Sequence, residues 1–167
     1  MSHPILIAAG QGEHLWYDGG VLTFKATSAQ TGGALLFFEI WMPRGKATPL
    51  HVHPEADESF YLIEGEIRVH AEGQEDRTAS SGAFVSIPRG TPHAFAVVSE
   101  SVRMVVLFTP ASTVSEEFFR LAGELATDLS LAPPLANLER FQGAVARSGL
   151  QVLGPPPFPE LVSQPVA

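Results

Sequence analysis

Four side chains of this sequence, three imidazoles and one carboxylate, have the types and spacing to hold a metal ion. His51 and His53 are two positions apart, Glu58 lies five positions after His53, and His93 stands further along the chain. Residues two apart on a strand leave the same face, so His51 and His53 can chelate one ion. Three neutral imidazoles and one carboxylate suit nickel, iron, manganese, cobalt, copper or zinc, whereas magnesium and calcium prefer more oxygen ligands. We therefore expect one divalent transition-metal ion.

Glu58 needs a turn before it can reach the same point as the two histidines. It lies an odd number of positions from His53, so on a continuous strand it would face the opposite side. The proline-led polar stretch 54–57 indicates a turn, after which a returning strand can aim Glu58 back. His93 follows a second turn signal at 88–92, so a ligand from that remote segment is geometrically reasonable.

The alternative interpretation is that these are ordinary surface histidines, since the chain has six. We interpret His3, His14 and His70 in that way, because none shares a strand face with another candidate ligand. A different register at the turn would bring Glu55 or Asp57 to the ion instead of Glu58.

Composition indicates one turn-rich domain. The chain has 167 residues, of which 45% are hydrophobic and 17% charged, and it contains 15 glycines and 14 prolines. A chain of this length can bury a core by itself, and the many turn residues favour an all-β fold over a helical bundle.

Charge and cysteine content exclude several classes of partner and ligand. The formal charge is −8, and the ten lysines and arginines are scattered singly, so we expect neither nucleic acid nor anionic membrane as a partner. The first residues show neither a signal-peptide profile nor a membrane span, which predicts a cytoplasmic protein. There is no cysteine, so nitrogen and oxygen must hold any metal.

Between residues 15 and 108 the chain divides into short segments rich in β-branched and aromatic residues, separated by glycine, proline and charged turn signals. The predicted strands are 21–27, 34–41, 49–53, 59–63, 66–71, 83–87, 93–98 and 102–108. This spacing favours a sandwich or barrel. The glycines expected at its corners, with positive φ or a close backbone approach, are Gly45, Gly65, Gly82 and Gly90. The residues expected in its core are Phe60, Leu62, Phe84, Ile87, Phe95 and Val106.

The last third of the chain has a helical pattern. Ser115 is a plausible cap for a helix that runs to about residue 126, and a second helix begins after the prolines at 133–134 and stops at 148–149. The proline-rich tail beyond them is predicted to be extended. We thus predict a single domain over 1–167, with the barrel at about 12–110 and the C-terminal helices and tail at 113–167.

The two metal-ligand segments resemble both motifs of the cupin superfamily. The first is GKATPLHVHPEADESFYLIEG, which carries His51, His53 and Glu58, and the second is GAFVSIPRGTPH, which ends on His93. One departure is Val97, which stands where the family pattern often has asparagine. The resemblance implies an all-β double-stranded β-helix, or jelly-roll barrel, followed here by two C-terminal helices.

Longer stretches are similar to single-domain bacterial cupins of the quercetin 2,3-dioxygenase type, from residue 12 to residue 159. They are KATSAQTGGALLFFEIWMPRG, PLHVHPEADESFYLIEGEI and GLQVLGPPPFP. The resemblance implies a metal-dependent oxidoreductase that cleaves a flavonol or related enolisable aromatic substrate with O2. Glu58 would then be both a metal ligand and the general base that takes the 3-hydroxyl proton, before the heterocycle opens with loss of carbon monoxide.

Other functions and arrangements stay open at this point. Cupins also include isomerases and cyclases of aromatic or polyketide metabolism and non-catalytic small-molecule-binding proteins.

The C-terminal helices, with Phe118, Phe119 and Phe141, are either a lid over the barrel mouth or a layer packed outside it. A homodimer through the outer strands is expected, with Leu35 and Phe37 among the contacts, together with Tyr61.

Overall fold

Twelve strands form two antiparallel sheets in the computed structural model of the chain, which describes residues 4–134 and 137–162. The larger sheet has the order β11-β1-β2-β3-β10-β5-β8 and the smaller one β12-β4-β9-β6-β7. The strands of the larger sheet are β1 (Glu13–Tyr17), β2 (Gly20–Ala26), β3 (Leu36–Pro43), β5 (Asp57–Glu64), β8 (Phe84–Ile87), β10 (Ser101–Thr109) and β11 (Glu124–Leu125). Those of the smaller sheet are β4 (Leu50–Val52), β6 (Glu66–Ala71), β7 (Arg77–Ser80), β9 (His93–Val97) and β12 (Gln151–Gly154).

The core lies between the two sheets because apolar residues alternate along the strands. In β3 and β10 every second side chain is buried, which is the pattern of a sheet with one face on the core. Phe38, Phe60 and Phe108 are among its largest fully buried side chains. Burial of most of the predicted core residues is confirmed, but the prediction for Phe84 is wrong, because 66% of it is exposed. It lies opposite Tyr61 in the β5–β8 pair, and both side chains stand on the outer face.

Within the described residues, three helices follow the barrel, α1 (Thr113–Ala122), α2 (Leu138–Ser148) and α3 (Pro159–Val162). The N-cap of α1 is Ser112 and not Ser115, because the side chain of Ser112 accepts a hydrogen bond from the Ser115 N–H. The helix also ends earlier than predicted, because the next residues pair with β1 as β11. None of the helices in the described part of the chain is both long and apolar enough to cross a membrane.

The second predicted helix is confirmed as α2, and both of its ends are capped. Asn137 accepts a hydrogen bond from the Arg140 N–H, and Gly149 closes the other end in the left-handed conformation with φ 78°. The extended tail is a partly wrong prediction. The predicted tail is residues 154–167, of which only Gly154 belongs to a strand, β12, and the prolines are followed by α3. Residues 163–167 lie outside the described part of the chain. Phe158, just before α3, is fully buried against β9.

Glycine forms one of the tight turns by which the chain passes from one sheet to the other. Gly65 joins β5 to β6 with φ 81°, and a Cβ atom there would lie 2.1 Å from the Ser101 carbonyl oxygen. Only glycine fits such an approach without moving the backbone. The same positive φ is found at Gly45, Gly82 and Gly90, as the sequence predicted.

Candidate metal centre

The predicted ligands meet inside the barrel. His51 lies in β4 and pairs directly with His93 of β9, so both imidazoles leave the same face of the smaller sheet. His53 follows β4, and Glu58 comes from β5 in the larger sheet. One ligand atom from each of the four lies within 4.8 Å of all the others, and all four side chains are buried. The centre therefore joins the two sheets.

Three imidazole nitrogens face one carboxylate oxygen. The Oε2 atom of Glu58 lies 2.7 Å from Nε2 of His93, 3.2 Å from Nε2 of His53 and 4.0 Å from Nε2 of His51. The chain leaves β4 at residue 52 and begins β5 at residue 57, so the reversal between the strands lies where the sequence indicated a turn. This reversal turns the Glu58 side chain toward the histidines.

The other carboxylates of that turn point elsewhere. Asp57 accepts hydrogen bonds from the backbone N–H and the guanidinium of Arg89 at 2.9 to 3.1 Å, and Glu55 is exposed. His14 is hydrogen-bonded to Thr23, and His70 to Asp76. Neither histidine joins the group of four. His3 lies outside the residues that the structure describes.

Hydrogen bonds orient the histidine rings from behind. Nδ1 of His51 lies 2.9 Å from the Pro49 carbonyl oxygen, and Nδ1 of His93 lies 2.9 Å from that of Thr91. A carbonyl oxygen can only accept, so in both rings Nδ1 carries the proton. In His51 the lone pair of Nε2 therefore points to the centre, which is the arrangement of a metal-binding histidine. In His93, Nε2 donates a hydrogen bond to Oε2 of Glu58 at 2.7 Å and would give up that proton on binding an ion.

The donor set fits a divalent transition metal. Among the described residues, the buried Nε2 of His53 has no hydrogen-bond partner, although it lies near Glu58. A buried polar atom without a partner is unfavourable, and an ion at this point would satisfy it. Three imidazole nitrogens and a carboxylate are ligands that such an ion accepts.

Burial and mutual charge shift the pKa values of the group. Burial lowers the pKa of His51 to about 4, against the opposing charge of Glu58, so this ring is neutral at pH 7. Burial alone would raise the pKa of Glu58, but the charge of His53, together with the hydrogen bond and charge of His93, holds it well below its usual range. For His93 the hydrogen bond and charge of Glu58 outweigh burial and raise the pKa. The carboxylate is thus ionised, and the centre favours a cation.

The centre opens into a cavity with mainly apolar walls. Its wall residues include Phe38, Phe95 and Met104 of the barrel, and the helices contribute Phe118, Phe119 and Phe141. The α1 and α2 side chains thus cover this end of the barrel, while their movement as a lid stays a prediction. Among the polar groups that also line it, Tyr17 and Ser115 were not singled out as site residues from the sequence. Tyr17 lies in β1, a strand without strong alternation, so the sequence offered little signal for it.

Comparison with known proteins agrees with the resemblance of the two metal-ligand segments to the cupin motifs. The cupin domain family model matches residues 37–110, a segment that contains all four grouped side chains. Quercetin 2,3-dioxygenase of Bacillus subtilis (strain 168) is 31% identical over 102 residues, which are 61% of this chain and 30% of that protein. Quercetin 2,3-dioxygenase of Aspergillus japonicus is 28% identical over 122 residues, which are 70% of this chain and 34% of that protein.

A third relative has another activity. The dimethylsulfoniopropionate lyase of Ruegeria pomeroyi is 32% identical over 75 residues, which are 45% of this chain and 37% of that protein. The chain therefore spans about a third of the length of these curated relatives. Among solved structures, KdgF from Halomonas sp. has a TM-score of 0.55 at 22% identity, over 64% of this chain and 94% of that one. The two-sheet barrel, the paired motifs and the family match together assign residues 37–110 to the cupin domain family.

Proposed function

We propose that this chain is a metal-dependent dioxygenase that cleaves a flavonol or a related enolisable aromatic compound with O2. The observation that carries the proposal is the group of four buried donor atoms at the end of a cavity with aromatic walls. His51, His53, Glu58 and His93 are the proposed ligands. The two quercetin 2,3-dioxygenases among its relatives support the choice of substrate.

Glu58 is the proposed general base. A divalent ion held by the four side chains would supply Lewis acidity, which lowers the pKa of a nearby substrate hydroxyl. The pKa of Glu58 lies below its usual range, so its carboxylate is ionised at neutral pH and is in the form that can accept that proton. The neutral ring of His51 adds no charge that would oppose a cation.

The cavity walls favour a flat aromatic substrate. Aromatic side chains prefer edge-to-face or offset contacts, and Phe119 already makes such contacts with Phe38 and Tyr17, at centroid distances of 4.8 and 5.3 Å. Burial, followed by the charges of Asp18 and Glu58, raises the pKa of Tyr17, so its phenol stays protonated. We propose that this hydroxyl donates a hydrogen bond to a substrate oxygen.

A second candidate is a reaction that begins with the same proton transfer but does not use O2, as in an isomerase, cyclase or lyase. The 32% identity to a lyase favours keeping this candidate. A non-catalytic small-molecule-binding cupin would have the same cavity without turnover. Consumption of O2 separates the first function from the other two.

The test is to incubate protein loaded with nickel, iron, manganese, cobalt or copper with quercetin, and to follow O2 uptake and the flavonol absorbance. The dioxygenase proposal predicts that O2 and the flavonol are consumed in equal amounts. His51→Gln should abolish turnover, whereas His70→Gln, which changes a histidine outside the centre, should not. No O2 uptake with any of the metals would contradict the proposal, and substrate loss without O2 uptake would favour the second candidate.

A further inference from the structure

One of the three histidines is oriented by a side chain and not by the backbone. His51 and His93 each place Nδ1 on the carbonyl oxygen of the residue two positions earlier. His53 instead has Nδ1 3.2 Å from Oγ of Ser115, which lies 62 positions later in the first turn of α1. The C-terminal helix therefore reaches the centre through one hydroxyl group.

This difference matters for the tautomer of the imidazole. A carbonyl oxygen accepts only, so it leaves its histidine one neutral form, with the proton on Nδ1. A serine hydroxyl can donate or accept, so by itself it permits either form of His53. With the proton on Nε2, the ring would have no lone pair directed at the centre.

A second serine orients the first. Ser112, the N-cap of α1, accepts the backbone N–H of Ser115 at 3.0 Å, and its own hydroxyl donates to Oγ of Ser115 at 2.8 Å. Ser115 Oγ keeps a further lone pair that can accept the Nδ1–H of His53. Only 1% of Ser115 is exposed, so little water reaches it to compete.

We propose that Ser115 is a positioning residue that holds His53 in the tautomer with Nδ1 protonated, and that it makes this ligand depend on the docking of α1. When α1 is in place, the Nε2 lone pair of His53 is available to an ion. Because coupling is reciprocal, metal binding in turn stabilises the docked first turn of α1. The inference rests on the metal site proposed above and not on the choice of substrate.

The test measures Zn²⁺ affinity by competition with a chelator, in the absence of any substrate. Ser115→Ala removes the acceptor and should weaken Zn²⁺ binding about 10- to 100-fold, the usual effect of losing a hydrogen bond behind a metal-binding histidine. Ser115→Thr keeps the hydroxyl and should stay within about threefold of the wild type, by the same reasoning. Ser148→Ala is the matched control, because Ser148 is a buried helical serine that contacts Leu150 and no ligand.

Nitrogen-15 NMR of the imidazole groups in the metal-free protein gives a readout that a purely structural role would not change. The wild type and Ser115→Thr should show His53 with the proton on Nδ1, whereas Ser115→Ala should show a mixture of the two neutral forms. Thermal unfolding of each variant checks that the fold is intact. Hydrogen exchange of the α1 amides should slow on addition of Zn²⁺ in the wild type, and less so in Ser115→Ala.

The outcomes separate this inference from the metal site itself. If the wild type binds no Zn²⁺, the metal site and the inference both fail. If the wild type binds and folded Ser115→Ala binds equally tightly, only the inference fails. An equal loss in Ser115→Ala and Ser115→Thr would also overturn it, because packing and not the hydroxyl would then be responsible.

Discussion

Glu58 combines burial with negative charge, which is unfavourable unless other groups compensate for it. Its carboxylate is buried, and the imidazoles of His53 and His93 stabilise the ionised form. A bound cation would supply the same compensation more strongly. The charge of Glu58 is therefore compensated both in the metal-free and in the metal-bound protein. Its proposed catalytic role can be tested by removing the charge alone.

Glu58→Gln should lower the turnover of quercetin by about 10²- to 10⁴-fold, the usual contribution of a positioned general base. The amide has nearly the same shape but cannot accept the substrate proton at neutral pH. The measurement is O2 uptake by protein with a known metal content. Glu55→Gln, on an exposed residue of the same turn, should keep full turnover. Retained turnover in Glu58→Gln would show that Glu58 is not the base.

His51 predicts how the stability of the metal-free protein depends on pH. Its pKa is about 4 in the folded state, against about 6.5 for the free side chain, so the unfolded chain binds a proton first as the pH falls. The free energy of unfolding should thus decrease by about 3 kcal/mol from pH 6.5 to pH 4 through this group. The raised pKa of His93 acts above pH 6.5 instead, where stability falls as the pH rises.

Urea denaturation of the metal-free protein at a series of pH values measures this dependence. His51→Asn should flatten the slope between pH 6.5 and pH 4. The lowered pKa of Glu58 adds a further loss only below about pH 4.5. An identical slope in the wild type and His51→Asn would contradict the assignment to His51.

At the scale of elements, the helix pair α1–α2 encloses one end of the cavity. Both helices bury one stripe, and Phe118 of α1 contacts Phe141 of α2 edge to face at 5.4 Å between ring centroids. On its other side α1 packs through Phe119 on Phe38 of the barrel. The helices are therefore packed on the same barrel that holds the proposed metal ligands.

Phe118→Ala should lower the free energy of unfolding by about 3 to 5 kcal/mol, because it leaves a cavity between α1, α2 and Tyr17. Leu138→Ala, at a site 69% exposed on α2, should change it by about 0.5 kcal/mol or less. Urea denaturation at constant metal content measures both. Equal small effects would mean that the helix pair contributes little to the stability of the domain.

At the scale of the whole molecule, the metal centre connects the two sheets. Glu58 belongs to the larger sheet, and His51 and His93 to the smaller one. An ion bound by all of them would hold the sheets together only in the folded state, so binding energy adds to stability.

Addition of Zn²⁺ at about 100 times its dissociation constant should raise the free energy of unfolding by about 2.7 kcal/mol, and a chelator should reverse the change. Melting temperature with and without chelator measures the effect. The variant His93→Ala should show no such shift, whereas His14→Ala should keep it, because His14 binds Thr23 outside the centre. A melting temperature that does not respond to metal would contradict the site.

The outer face of the larger sheet carries exposed aromatic side chains. Tyr61 is 50% exposed and Phe84 66%, and Trp41 stands on the same face of β3. Apolar groups on a sheet face are a usual feature of subunit interfaces. We predict a homodimer through this face, with Phe37 among its contacts as expected from the sequence.

Phe84→Glu should dissociate this dimer, since a buried unpaired charge at an interface is strongly unfavourable. Sedimentation velocity over a range of concentrations measures the change. Leu129→Glu, at an exposed leucine far from β8 in the chain, is the control and should leave the association unchanged. A wild-type protein that sediments as a monomer would contradict the prediction.

The sequence by itself determined the local features of this protein. Strand parity grouped His51 with His53, turn residues located the reversal before Glu58, and proline and glycine marked both ends of α2. These signals depend on the backbone of a few neighbouring residues, so they can be recognised from the sequence alone. Together with the resemblance to both cupin motifs, they indicated the barrel and the four residues that the structure brings together.

Only the tertiary structure decided the contacts between distant segments. The sequence predicts Ser115 as a helix cap, but its hydroxyl faces His53, because the end of β10 and the cap at Ser112 place α1 over the barrel. The sequence predicts Phe84 in the core, but the pairing of β8 with β5 turns it outward. Such outcomes depend on register and packing between segments far apart in the chain, and a local pattern carries no information about them.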